Sequence, residues 1–298
     1  MKTDKSKIYI LIAAALIIAV GFAVVRIILV VNFYNVEEGL YGANSAGVTA
    51  VRIMFALVLL LLGVLPFILV KKREFKKLPD ANHGVVFTGA MCGFMFISSA
   101  ILVLYYVVIK PLADKNCSRE GIYGELFQKT SGKPSTVLII MIILTVIFGI
   151  ASSLYYFWCA ATTTKLKKLP YKLFSLMPVM SCIFYLVYMY FNSDTVMNSP
   201  ERTITQLSTI AVMLYCVAEA RFHFGIARYR MYIAVSLITV TAVIVTCVPG
   251  FLLTAFWMMP FSSKTIYEVL QLAIAAYIVF RLISTTDSDT EEKKEEII

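Results

Sequence analysis

Long apolar runs alternate with short polar segments along most of the chain. Each run has about 20 residues, which as an α-helix spans the ~30 Å hydrocarbon core of a bilayer. The pattern therefore predicts an all-α, polytopic transmembrane helical bundle over residues 1–283, with a disordered, acidic cytoplasmic tail over 284–298. The eight predicted spans are 8–31, 48–70, 84–109, 135–161, 173–191, 203–222, 231–256 and 265–283.

Composition supports a membrane protein. Hydrophobic residues make up 60% of the 298 residues and charged residues 15%, whereas soluble domains carry about 25% charged residues. A net charge of +9 could indicate nucleic-acid binding, but the basic residues lie in short loops between apolar runs. We therefore expect membrane lipids, and no nucleic acid, as partners.

The loops also predict the orientation of the chain. Eighteen Lys and Arg residues lie in loops and termini on the side of the N-terminus, and seven lie on the other side. Because loops rich in Lys and Arg stay in the cytoplasm, both termini are predicted to be cytoplasmic.

Two short matches predict a duplicated helical hairpin. Residues 38–42 resemble 120–124 in the loops on one side, and 76–79 resemble 167–170 in the loops on the other. The alternative interpretation is that turns favour Gly and cytoplasmic loops favour Lys and Pro. The later four spans show no matching loops.

Glycine and proline mark where the spans should pack or bend. Gly89 and Gly93 form a GxxxG pair, which is typical of close helix contacts in membranes. Pro249 and Gly250 predict a break in the seventh span. We favour a static packing bend there over a moving gate.

Three charged residues fall inside spans at a similar depth in the outer leaflet. They are Arg26, Arg52 and Glu268, and Gln271 lies on the same helical face as Glu268. Because unpaired charge inside a membrane is costly, one hypothesis is an ion-paired cluster that could bind a ligand. We favour the alternative, in which each long side chain extends to the headgroups without a partner.

A second group of candidates lies on the cytoplasmic side. Glu219 and His223 are spaced four residues apart on one helical face, and Asp80 and His83 lie in a loop on the same side. These residue types can bind a metal or move protons. No known ligand spacing joins them, so we predict no metal site and no cofactor, and favour a polar helix end.

Several segments resemble one family. The segments are 26–29 leading into 34–41, then 175–179, 220–222 and 248–252. They resemble a group of multi-spanning membrane proteins from anaerobic Gram-positive bacteria whose activity is uncharacterised. In that group the outer loop has an Asp-Pro-Glu-Thr-Gly-aromatic turn, and residues 35–39 lack its Asp-Pro.

The resemblance implies a multi-spanning fold and a location in the bacterial plasma membrane, and it transfers no activity. It adds weight to Arg26, to Arg221 and to the outer-loop turn that contains Glu38, Gly39 and Tyr41.

The sequence leaves three classes of function open. We rank first a non-catalytic membrane component, which means a scaffold, an accessory subunit or a regulator, with a protein partner or a second copy of the chain. A transporter or channel for a small solute or ion ranks second, because no polar site is evident at the membrane midplane. A membrane-embedded enzyme ranks third, since the chain carries no recognised catalytic motif.

Overall fold

The computed structural model describes residues 2–35, 40–41, 46–70, 82–105, 109, 136–161, 169–191, 200–226, 228–256 and 263–295. The helices are α1 (Lys2–Phe33), α2 (Ala46–Leu69), α3 (His83–Leu104), α4 (Thr136–Ala161), α5 (Leu169–Phe174), α6 (Met177–Phe191), α7 (Pro200–His223), α8 (Tyr229–Ala255) and α9 (Ser263–Glu295). Two two-residue strands, β1 (Tyr34–Asn35) and β2 (Leu40–Tyr41), pair antiparallel after α1. The predicted all-α bundle is confirmed.

Eight stretches of helix in the described residues are long and apolar enough to cross a membrane. They are Lys5–Phe33, Gly47–Leu69, His83–Leu104, Ile139–Ala161, Lys172–Tyr190, Arg202–His223, Tyr229–Ala255 and Lys264–Thr286. The chain is therefore a multi-pass membrane protein, and each stretch overlaps a predicted span. The eight described spans bring the end of the last one, at Thr286, back to the face at which the first one, at Lys5, begins, and we call this face the N-terminal face.

The start of α3 shows how a helix end is set by local chemistry. The side chain of Asn82 accepts a hydrogen bond of 2.9 Å from the backbone N–H of Val85. This contact satisfies one of the amide groups that have no partner in the first turn of a helix.

The last helix is longer than the predicted span. It continues to Glu295, and Ser284, Thr285 and Thr286 at the start of the expected tail are buried. Glu and Lys, which are abundant after Thr286, have high helix propensity. This propensity favours continuing the helix beyond the membrane.

Six helices form a closed circuit of neighbours. In order around it, α3 packs on α4, α4 on α6, α6 on α7, α7 on α8 and α8 on α9, and α9 returns to α3. We call this arrangement the helix circuit. Across it, α7 and α9 face each other with few close backbone approaches. Side chains therefore fill the space between these two helices.

The first hairpin lies outside the helix circuit. Both α1 and α2 pack mainly against α8 and contact each other less, whereas α3 and α4 pack closely together. In the apolar window of α8, 72% of positions are buried, against 11% in α2. Of the eight spans, α8 is thus the most buried, and α2 presents most of its apolar surface to lipid. The repeated loop segments 76–79 and 120–124 lie outside the described residues.

Candidate functional site: two polar groups inside the bundle

Arg26 extends from α1 to the backbone of α8. It is 7% exposed, and its Nη1 donates to the carbonyl oxygens of Val245 at 2.8 Å and Thr246 at 3.1 Å. Pro249 explains the first contact, because proline has no N–H to donate to the carbonyl four residues earlier. The guanidinium supplies the missing donor, and α8 continues as a helix to Ala255. The expected break at Pro249 is therefore not a helix end.

Glu268 approaches the same part of α8 from α9. It is 2% exposed, and a Cβ added at Gly250 would overlap both of its carboxylate oxygens. Its Oε1 lies 3.6 Å from the Nζ of Lys264, one turn earlier on α9. Gly250 thus permits the close approach of a carboxylate that a larger residue would exclude.

Gln271 joins three helices one turn further into the membrane. Its Oε1 accepts a hydrogen bond from Ser208 Oγ on α7 at 2.9 Å and lies 3.3 Å from Cys247 Sγ on α8. Its Nε2 donates to Thr209 Oγ1 at 2.8 Å. The amide therefore uses both its donor and its acceptor capacity inside the bundle.

Arg52 lies apart from these residues. Its side chain is exposed on α2, and its guanidinium carbon lies 5.2 Å from the ring centroid of Tyr41. This geometry is a cation–π contact. The ring of Tyr41 also packs against Tyr34 across the two short strands, with centroids 5.1 Å apart. Of the outer-loop turn, Glu38 and Gly39 lie outside the described residues.

We call the polar side chains far from the N-terminal face the distal polar group; Lys264 is half-buried and the others are buried. Its members are Arg26, Ser208, Thr209, Lys264, Glu268 and Gln271. Three of the four residues predicted for an outer-leaflet cluster belong to it, and Arg52 does not.

A buried ion pair lies nearer to the N-terminal face. Glu219 on α7 is 1% exposed and Arg281 on α9 is 4% exposed, with 3.7 Å between Oε1 and Nε. Tyr277, one turn from Arg281 on α9, donates to the same Oε1 at 2.7 Å. The carboxylate thus links α7 to α9 by a charge contact and a hydrogen bond.

His223 extends this arrangement toward the N-terminal face. Its Nε2 lies 3.0 Å from the hydroxyl oxygen of Tyr155 on α4, and Tyr155 also lies beside the Glu219 carboxylate. The rings of Tyr155 and Tyr156 meet edge to face, and Tyr156 meets Tyr277 in the same way at 5.2 Å. We call Glu219, His223, Tyr155, Tyr277 and Arg281 the proximal polar group.

Of the other cytoplasmic-side candidates, the two that the structure describes, His83 and Arg221, do not join this group. Asp80 lies outside the described residues, and His83 is exposed at the first turn of α3. Arg221 is half-buried and donates to the carbonyl of Ile226 at 3.4 Å and to Met231 Sδ at 3.7 Å. Among the described residues there is no group of three or more His, Cys, Asp or Glu side chains that could hold a metal ion.

Sequence reasoning missed several members of both groups. Arg281 and Tyr277 were not predicted as site residues, although their four-residue spacing on one helical face is a signal that could have found them. Lys264 precedes Glu268 by the same spacing, but the predicted span begins at 265 and α9 begins at Ser263. Tyr155 carries no local signal, because its partners lie on other helices.

The two groups link the same pair of helices at two levels. Glu219 follows Ser208 by eleven residues on α7, which is about 16 Å along the axis and returns to the same helical face. Between them, buried Val212 and Ile274 form part of the apolar core. Polar groups at two depths, separated by an apolar layer, could each hold an ion or a polar solute in turn.

These features define an all-α, multi-pass membrane protein with a polar interior shared by α7, α8 and α9. Comparison with protein families, characterised proteins and solved structures gives no match for this chain. The resemblance to the Gram-positive membrane group stays a prediction.

Proposed function

We propose that this protein is a transporter or channel for a small solute or ion, and that the pathway runs between α7 and α9. The observation that carries the proposal is the pair of polar groups that joins these two helices across the helix circuit. Ionisable side chains inside a membrane are expensive and typically line ion or substrate pathways.

The proposal reverses the order of the two hypotheses that the sequence favoured. The transporter ranked below a scaffold, accessory subunit or regulator because the sequence showed no polar site at the membrane midplane. Gln271 and its three partners supply such a convergence, about one turn from the middle of the membrane-spanning stretch Lys264–Thr286.

The enzyme hypothesis, which ranked third, gains no support from the described residues. The enzyme interpretation depended on Asp80 and His83 meeting Glu219 and His223. His83 is exposed at the start of α3, while Glu219 is buried inside the helix circuit. We also propose that the N-terminal face is cytoplasmic and that the membrane is a bacterial plasma membrane, on the distribution of Lys and Arg.

Flux measurements on proteoliposomes test the transport proposal. The probes are gradients of K⁺, Na⁺ and Cl⁻ and labelled mixtures of amino acids and sugars. We expect flux of at least one probe above that of empty liposomes, and its loss in Gln271→Leu, which removes the amide that joins three helices. Leu207→Ala is the matched control, because Leu207 is exposed on α7 next to Ser208 and should transport normally.

Two results would count against transport. One is the absence of flux for all probes while the chain remains monodisperse and correctly inserted. The other is a stoichiometric second protein that stays bound in nanodiscs drawn from the native membrane and is needed for any activity. The second result would return the accessory subunit to first place.

A further inference from the structure

We propose that Glu219 is a proton-binding site inside the membrane, which exchanges protons with the N-terminal face through Tyr155 and His223. The inference rests on the transport function proposed above and names the ion that gates or drives it. Glu219 is one of two buried carboxylates among the described spans, and the other is Glu268 in the distal polar group.

A continuous chain of polar atoms leads from the N-terminal face to the carboxylate. His223 is the last residue of α7 and is half-buried, so its ring lies at the edge of the bundle. Its Nε2 contacts the Tyr155 hydroxyl at 3.0 Å, and Tyr155 is among the residues that interact with the Glu219 carboxylate. On the far side, Tyr277 donates to Oε1 at 2.7 Å.

The charge balance around Glu219 depends on few groups. The basic residues are Arg281, which faces the carboxylate, and Lys172 on α5, which faces His223. The surrounding phenols and thiols are ordinarily neutral near pH 7. The phenols are Tyr155, Tyr156, Tyr215, Tyr232 and Tyr277. The thiols are Cys92, Cys159 and Cys216. With Glu219 ionised, the pair with Arg281 is neutral overall.

The proton step is balanced without any other reactant. The proton on Nε2 of a protonated His223 passes to the Tyr155 oxygen while the Tyr155 O–H proton passes to a Glu219 oxygen. The result is a neutral imidazole, an unchanged tyrosine and a neutral carboxylic acid. The reverse sequence returns the proton to the N-terminal face.

Protonation of Glu219 changes what holds α7 and α9 together. A buried charge whose partner has been neutralised is strongly destabilising, so Arg281 then favours water at the N-terminal face. Because Arg281 lies on α9 and Glu219 on α7, its movement separates the two helices. A proton from the N-terminal face therefore opens the space between them on that side.

Infrared difference spectroscopy of the full chain in nanodiscs of phosphatidylethanolamine and phosphatidylglycerol tests the site directly. As the pH is lowered between about 8 and 5, we expect the carbonyl stretch of a protonated carboxylic acid to appear. It should be absent in Glu219→Gln and retained in the matched control Glu268→Gln. If Glu219→Gln alone does not fold, the double variant with Arg281→Gln replaces it, because removing both charges leaves no unpaired charge at the site.

Tyr155→Phe and His223→Gln test the path. After a rapid drop in pH, the band should appear at least about tenfold more slowly in either variant, since each removes one proton carrier. A band that remains without Glu219, that disappears with Glu268→Gln, or that never appears in the unmodified chain would overturn the proton site. Unchanged kinetics in both path variants would overturn the route through Tyr155 and His223.

The same variants separate this inference from the transport proposal. A Glu219 band that titrates in a protein without flux supports the proton site and contradicts transport. Flux that is independent of pH and unaffected by Glu219→Gln supports transport and overturns the proton inference.

Discussion

At the residue scale, each of the buried charges Arg26, Glu268 and Glu219 contacts a group on a neighbouring span. Arg26 binds carbonyl oxygens of α8 beside Pro249, and Glu268 approaches the same helix beside Gly250. Glu219 is paired with Arg281 and hydrogen-bonded to Tyr277. Pro249 thus leaves a carbonyl oxygen available to Arg26, and Gly250 leaves space for the carboxylate of Glu268.

Arg26 and Pro249 should be energetically coupled. Arg26→Met leaves the Val245 carbonyl buried without a donor and should cost about 1–3 kcal/mol of stability. Pro249→Ala restores an N–H four residues after Val245, so Arg26→Met should cost less in that background. A double-mutant cycle on thermal or denaturant unfolding in detergent measures the coupling. Additive effects of the two substitutions would show that the guanidinium does not replace the missing donor.

At the element scale, the helices differ in how much of their surface is buried against other helices. The circuit helix α8 is buried on most of its surface, whereas α2 faces lipid along most of its length. Small residues set how closely two helices approach: a Cβ at Gly89 would lie 3.4 Å from the backbone carbonyl of Tyr156 on α4. The predicted small-residue face of α3 therefore lies at its contact with α4.

The same substitution should destabilise one helix contact and be neutral on another helix. Gly89→Leu places a large side chain against the α4 backbone and should destabilise by about 1–3 kcal/mol, as overpacking does. Gly21→Leu is the control, since nothing lies within 4 Å of a Cβ added there on α1, and it should be neutral. Unfolding of both variants in mixed micelles gives the comparison. An equal loss of stability would contradict close α3–α4 packing at Gly89.

At the scale of the whole molecule, six helices enclose a polar interior and two stand outside it. The circuit holds Gln271 with Ser208 and Thr209, and Glu219 with Arg281, between α7 and α9 and away from lipid. Such an arrangement satisfies the requirement that polar groups within a bilayer be paired inside the protein.

The topology makes a prediction that labelling can check. With eight spans and a cytoplasmic N-terminus, single cysteines placed at Ser6 and at Lys293 in a cysteine-free background should both resist an impermeant maleimide in intact cells. Both should react once the membrane is opened. Reaction of one site alone in intact cells would mean an odd number of crossings, and reaction of both would invert the orientation.

The sequence by itself determined the eight spans, because about 20 consecutive apolar residues admit no other stable arrangement in a bilayer. It also located Arg26, Glu268, Gln271, Glu219 and His223 as the polar residues to explain, since ionisable groups stand out within apolar runs.

The tertiary structure alone decided which of these residues meet. Helical periodicity assigns a residue to a face but says nothing of which helix that face contacts. Tyr155 thus meets His223 from 68 positions away, and Arg26 meets Val245 from 219 positions away. The pairing of α7 with α9 across the circuit follows from how all the helices pack together, and no local pattern in the chain encodes that arrangement.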